Sequence, residues 1–302
     1  MKTITVYMFG GLGNQMFQYA LGRSLSLRNQ CQLILNTSWF LHSDIRSTDR
    51  PFLLMDFPHI KNKNYIITSD PIKKSQKIII NVKRKIQTYF PNVCHFIFPH
   101  IQVQNYDNHK FQKSILSVYP PQVLYGYWQS ELYFSCLSEQ IKNDFTFPKL
   151  SDKKSAKIAT KIKNSNVSVS VHIRRGDYVS NKNTLSFHGS IGQEYYKKAL
   201  SLIMKKYGKS SLFIFSDDTK WVYENFNCFG HNGTIVDLKN NISPYHDMHL
   251  MSLCKHHIIA NSTFSWWGAW LSKYNGITIA PRQWFRVFHD TDDIYPNHWI
   301  KI

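Results

Sequence analysis

From residue 167 to 280 the chain alternates short apolar, strand-like runs with amphipathic helical stretches. Such alternation forces a parallel sheet whose strands are joined by right-handed helical crossovers. Strand-like runs fall at 167–173, 211–215, 234–238, 257–260 and 276–280. Helical spacing falls at about 152–163, at 193–207, from about 220, at 244–254 and at 264–273. In the 193–207 stretch Tyr196, Ala199, Leu200, Ile203, Met204 and Tyr207 recur at intervals of three and four. The chain opens the same way. The β-branched run 3–9 breaks at Gly10-Gly11-Leu12-Gly13-Asn14-Gln15, a helix with Met16, Phe17, Ala20, Leu21 and Leu25 on related faces follows, and 31–35 reads as the next strand. At 302 residues the chain exceeds one ordinary core, so two domains are expected. Between 40 and 120 the pattern predicts a helix near 75–88 and irregular loops elsewhere; 123–128 reads as a strand, and 131–145 as a helix ended by Pro148.

In a parallel sheet the strand ends share one edge, and ligands bind at that edge. Three ends here are polar. The first carries His172, Arg174, Arg175 and Asp177 within six residues. Two adjacent guanidiniums call for an anion, and their planar forks suit a pyrophosphate; the plainer reading is an Arg–Asp pair capping a strand. The second is Ser216-Asp217-Asp218, which also suits a helix cap. The third is Asn261-Ser262-Thr263-Phe264-Ser265, just before a helix. Ser262 or Thr263 is its N-cap, and hydroxyls together with first-turn amides bind anions. The Gly10–Gln15 loop departs from GxGxxG, yet its glycines let a ligand approach backbone amides at Gly11 while Asn14 and Gln15 offer hydrogen bonds. Phosphate-loop, zincin, nucleophile-elbow and kinase patterns are absent.

The formal charge of +18 calls for an anionic partner. It is uneven: Lys61, Lys63, Lys73, Lys74, Lys77, Lys83, Arg84 and Lys85 face one acid, Asp70. This segment reads equally as a solvated lobe or as a patch for anionic lipid headgroups. Nucleic acid is the rival partner, but no nucleic-acid-binding motif accompanies the charge. Five widely spaced cysteines with no CxxC pair indicate neither zinc nor a disulfide framework. No apolar stretch has the length of a membrane span or of a signal-peptide core. A cytoplasmic protein, peripheral at the inner face of the membrane, is expected.

Four blocks carry a resemblance: Gly-Gly-Leu-Gly-Asn-Gln-Met-Phe-Gln at 10–18, His-Ile-Arg-Arg-Gly-Asp-Tyr at 172–178, Phe-Ser-Asp-Asp at 215–218 and Ala-Asn-Ser-Thr-Phe-Ser-Trp-Trp-Gly-Ala-Trp-Leu at 260–271. In colinear order they resemble the α-1,2-fucosyltransferases of glycosyltransferase family 11. The resemblance implies a GT-B fold, two Rossmann-like α/β domains facing across a cleft. These are expected at 1–150 on the acceptor side and 151–285 on the GDP-sugar side, with 286–302 returning toward the first domain. It also implies inverting, metal-independent transfer of L-fucose from GDP-β-L-fucose to O2 of a terminal β-galactoside, with no cofactor; a GT-B transferase using another GDP-sugar, such as GDP-mannose, is the alternative, because sequence does not show the contacts to the fucose methyl. Arg174 is then the group on the pyrophosphate and His172 a nucleotide contact. Arg175 pairs with Asp177 or with a phosphate. Asp177 is the motif's nearest carboxylate for the acceptor proton. Asp247 is placed to accept hydrogen bonds from guanine, with an acid in a helix's first turn as the plainer reading. Tyr127 and Trp128 are candidate platforms for the acceptor sugar, whereas Trp266, Trp267 and Trp270 read as core.

Overall fold

The computed structural model describes residues 2–41, 50–61, 63, 65–89, 98–104, 109–176, 185–187, 189, 191–238, 243–287 and 291–302. They form two compact units: Met1–Thr146 with Asp290–Ile294, and Phe147–His289 with Tyr295–Ile302. Each unit is an α/β layer structure around one parallel sheet, the pair of Rossmann-like domains from which a GT-B protein is built.

In the first unit β1 (Thr3–Tyr7), β2 (Gln32–Asn36), β3 (Tyr65–Thr68), β4 (Ile101–Val103) and β5 (Gln122–Tyr125) lie in the order β3-β2-β1-β5-β4, all parallel. Helix α1 (Leu12–Arg28) is buried on nearly every side, with Met16, Phe17, Ala20 and Leu21 fully enclosed. The short α2 (Pro58–Lys61) and α4 (Ser138–Asp144) pack on one another, and α3 (Lys74–Tyr89) lies against β4. The buried Asp144 joins α4 to α1: it accepts from Tyr19 Oη at 2.9 Å and pairs with Arg23 Nε at 3.1 Å and Lys63 Nζ at 3.2 Å. Two expectations change here. Residues 40–120 hold β3 and β4 besides the predicted helix, and 131–145 is two short 3-10 turns followed by α4 rather than one helix.

In the second unit β6 (Ser168–Ile173), β7 (Ser211–Ser216), β8 (Asn232–Val236), β9 (His256–Ile258), β10 (Thr278–Ala280) and β11 (Ile300–Lys301) run in the order β11-β10-β9-β6-β7-β8, again all parallel. On one face α6 (Gln193–Tyr207) and α7 (Thr219–Asn225) cover Val171, Ile173, Leu212 and Ile214. On the other, α5 (Lys153–Lys163), α8 (Tyr245–Ser252) and α9 (Thr263–Trp270) cover Phe213, Phe215 and Val236. Trp266 and Trp267 are fully enclosed and Trp270 nearly so, which makes them core. The chain's last stretch divides: Asp290–Ile294 groups with the first unit, while Ile300–Lys301 extends the second sheet beside β10.

Candidate functional site

Strand order alone locates one crevice in each unit. In the second sheet β6 comes first; β7 and β8 build to one side of it and β9 to β11 to the other. The reversal lies between β6 and β9, and a ligand crevice opens outside the carboxyl ends of such a pair. The pairing Val171↔Ile258 carries forward to set Arg174 level with Asn261. On the other side, Ile173↔Ser216 sets Arg174 level with Asp217. All three polar strand ends therefore meet at one edge, as the alternation predicted.

Arg174 Nη1 lies 3.0 Å from Asp217 Oδ2, and the other carboxylate oxygen accepts from the Arg175 backbone N–H at 2.9 Å. Asp217 reaches both because residue 176 is glycine: a Cβ there would stand 2.5 Å from Oδ2. Arg174 is about a quarter exposed, and its guanidinium carries five donors in a fixed fork. Arg175 turns the other way. Its guanidinium lies 3.8 Å above the Trp221 ring and its Nε 3.5 Å from Asp218 Oδ2. Asp218 also caps α7, accepting from Trp221 N at 3.1 Å. Arg175 is thus held on α7 by the Trp221 stack and Asp218. Asp217 and Asp218, expected to touch substrate, each hold one of the two arginines and stay partly exposed at this edge. Asp177 itself lies outside the described residues.

His172 is buried beneath this edge, its ring 6.0 Å from Phe264 and its Nδ1 without a hydrogen-bond partner. Burial pushes its pKa down to about 3, Arg174 adding to the effect and Asp217 opposing it, so the ring is neutral. Ser262 holds the N-cap of α9 in an extended conformation, but its hydroxyl makes no capping bond. Ser262 is therefore the N-cap by position only, and the positive start of α9 follows directly on Asn261, level with Arg174. Asn261 is anchored through Nδ2 to Trp284 O at 3.2 Å. Asp247, on α8, has a buried Oδ1 without a partner; burial, with Asp237 adding to it, raises its pKa to about 7. Sequence reasoning missed Arg282 and Arg286, which with Tyr195 and Asn261 line a hollow of about 430 Å³ at the ends of β9 and β10. They follow a short strand with no pattern of their own.

The first unit repeats the logic. Its order reverses between β1 and β5, which brings the Gly10–Gln15 loop beside residues 126–129. Gly10 takes φ +80°, and Asn14 Oδ1 accepts from Gln129 Nε2 at 3.0 Å. Gly11 is close-fitting: a Cβ would stand 2.8 Å from Arg50 Nη1. Gln15 is fully buried, donating to Gly10 O and Pro51 O and accepting from Leu53 N, each at 2.9 Å. It ties loops together and has no ligand-facing group, which corrects its expected role. Trp128 is likewise corrected: it has no exposed surface, and its ring stands edge-on to Tyr133. Tyr127 is half-buried, edge-on to Phe9 at 4.9 Å. The buried Gln104 aims both, its Oε1 accepting from the Tyr127 and Trp128 backbone amides at 2.7 and 2.9 Å. An aromatic pocket of about 540 Å³ opens at the ends of β1 and β2 instead, lined by Tyr7, Phe9, Trp39, Lys77 and Tyr125. Among the described residues no cluster of His, Cys, Asp and Glu has the make-up of a metal site.

The sequence model of Glycosyl transferase family 11 matches residues 60–302. Over the whole chain the protein is 33% identical to an alpha-1,2-colitosyltransferase of Escherichia coli, 99% of which is covered. It is 36% identical to the O-antigen biosynthesis glycosyltransferase WbnK of Escherichia coli, over 97% of this chain and 98% of that one. A crystal structure of NodZ alpha-1,6-fucosyltransferase soaked with GDP-fucose superposes with a TM-score of 0.46 at 14% identity, covering 89% of this chain and 92% of that chain.

Proposed function

Because this chain belongs to glycosyltransferase family 11, we propose that it transfers L-fucose from GDP-β-L-fucose to O2 of a terminal β-galactoside, forming an α-1,2 linkage with inversion. The observation that carries this reading is Arg174, fixed by Asp217 level with the uncapped start of α9. When the bond from the sugar's C1 to the diphosphate oxygen breaks, negative charge grows on the β-phosphate. A fixed guanidinium and helix-terminal amides stabilise that charge without rearranging. One such donor is worth about two to three orders of magnitude in rate. Asp247 is the acceptor for the guanine N1 and N2 protons, which satisfies its buried orphan oxygen. His172, neutral, serves as a nucleotide contact, and Ser262, Thr263 and Phe264 flank the diphosphate. Asp177 takes the acceptor hydroxyl proton. The galactoside stacks in the aromatic pocket of the first unit, with Tyr127, Gly11 and Asn14 at the neighbouring crevice. No metal is required in this scheme, because protein cations supply the charge.

A second reading, transfer of colitose, is supported by the full-length likeness to an alpha-1,2-colitosyltransferase. The two readings share the linkage and part at the sugar. Purified protein incubated with lactose and either GDP-fucose or GDP-colitose, in EDTA, separates them. We expect 2-O-fucosylated lactose, lost in Arg174→Ala. Product only from GDP-colitose establishes the second reading, and product that disappears with EDTA overturns metal independence.

A further inference from the structure

Helix α3 has two unlike faces. Inward, Ile80 is buried against Ile101 and Val103, Gln87 Nε2 donates to Val103 O at 2.7 Å, and Lys83 Nζ donates to Phe98 O at 3.0 Å. Outward, Ile78, Val82 and Tyr89 are 62%, 38% and 75% exposed. At about 3.6 residues per turn these three fall on one narrow strip, with Lys74 and Lys85 on the same face. Residues 74–89 contain no acid, so nothing on the helix neutralises this face. An apolar strip on the solvent side of a helix already packed on its other side is unpartnered among the described residues of the first unit.

We propose that this face of α3 docks on an anionic lipid surface. Ile78 and Val82 enter the boundary between headgroups and acyl chains, Tyr89 sits at headgroup level, and Lys74 and Lys85 reach up to lipid phosphates. Charge selects this occupant. A second copy of a chain of net charge +18 brings another basic face and is repelled. Nucleic acid offers no apolar layer for Ile78 and Val82. The docking face also adjoins the aromatic pocket: Lys77 lines that pocket, and Leu41, 64% exposed, is a further lining residue. Docking therefore holds the pocket close to the lipid surface.

The test is sedimentation of the full chain with vesicles of equimolar phosphatidylglycerol and phosphatidylcholine, against phosphatidylcholine alone. The chain should bind the anionic vesicles only, and salt should release it. Ile78→Ser with Val82→Ser, and separately Lys74→Gln with Lys85→Gln, should each weaken binding at least about tenfold at an unchanged melting temperature. Equal binding to neutral vesicles, or undiminished binding by either pair of substitutions, overturns the proposal. So does a concentration-dependent dimer abolished by the serine pair, which assigns the face to a second copy. Retention of labelled RNA that is lost in the glutamine pair, without vesicle binding, assigns the charge to nucleic acid.

Discussion

The guanidinium of Arg175 lies 3.8 Å above the ring of Trp221. Of two consecutive arginines at the end of β6, one is thereby committed to the fold and the other is left at the crevice. The stack calls for a flat cation, so Arg175→Lys should cost about 1 kcal/mol of stability. GDP affinity should barely change. Denaturant titration and calorimetric GDP binding check both; a large loss of GDP affinity at unchanged stability would return Arg175 to the phosphate.

Asp217 holds Arg174 through its Oδ2 at 3.0 Å. Asp217→Asn should lower kcat by about tenfold, well short of the hundredfold or more expected for Arg174→Ala, with little change in the KM for GDP-fucose. Gly176→Ala should reproduce the asparagine variant, because the new Cβ displaces the same carboxylate. An unaltered kcat in both would show that Arg174 does not depend on this partner.

Asp144 answers Arg23, Lys63 and Tyr19 from a fully buried position. Removing one partner of a buried ion pair typically costs about 3–5 kcal/mol. Asp144→Ala should therefore destabilise the first unit by several kcal/mol, seen as a lowered denaturant midpoint. A loss under about 1 kcal/mol would mean that the pairing is offset by desolvation.

Stability should depend on pH through two opposed sets of groups. Burial pushes His172 and His257 down to about 3 and His249 to about 4, from 6.5. Below pH 6.5 the unfolded chain binds more protons at these sites, so stability falls as pH falls. Asp247 runs the other way. Burial raises it from 3.8 to about 7, so its contribution is full below 3.8 and is lost as pH rises through 7. Asp247→Asn should make the acid loss steeper, measured as denaturant midpoints at about pH 5 and about pH 7.5. An unchanged slope would place the Asp247 carboxyl in water.

Trp39 lines the aromatic pocket, so Trp39→Ala should raise the KM for lactose by about tenfold, a stacked ring's worth, and leave GDP affinity alone. An unchanged KM would move the acceptor to the Tyr127 crevice.

The second sheet is legible from β6 to β10 because those runs are apolar and α5 and α6 are periodic, so the motif residues fall on one edge from sequence alone; the two-residue β11 carries no pattern. The first was legible only at its start. Strand β3 is an edge strand whose Ile66 and Ile67 are both about half exposed, which erases alternation. Strand β4 has three residues with Gln102 in the middle, buried because its amide finds Gln122 Oε1 and Pro99 O. Trp128 lies in the core rather than on a sugar platform because its position depends on Gln104, distant in sequence, which holds the backbone where φ is +56°. Both Arg174 and Arg175 looked alike in sequence; only the packing of α7 tells them apart.

The close approach at Gly176 has an evolutionary reading. Residues 176 and 217 are far apart in the chain but form a single heritable character. A glycine replaced first pushes the carboxylate aside, while an aspartate replaced first leaves the guanidinium without its anchor. Neither half can drift alone, and among related sequences the two positions should change together or not at all.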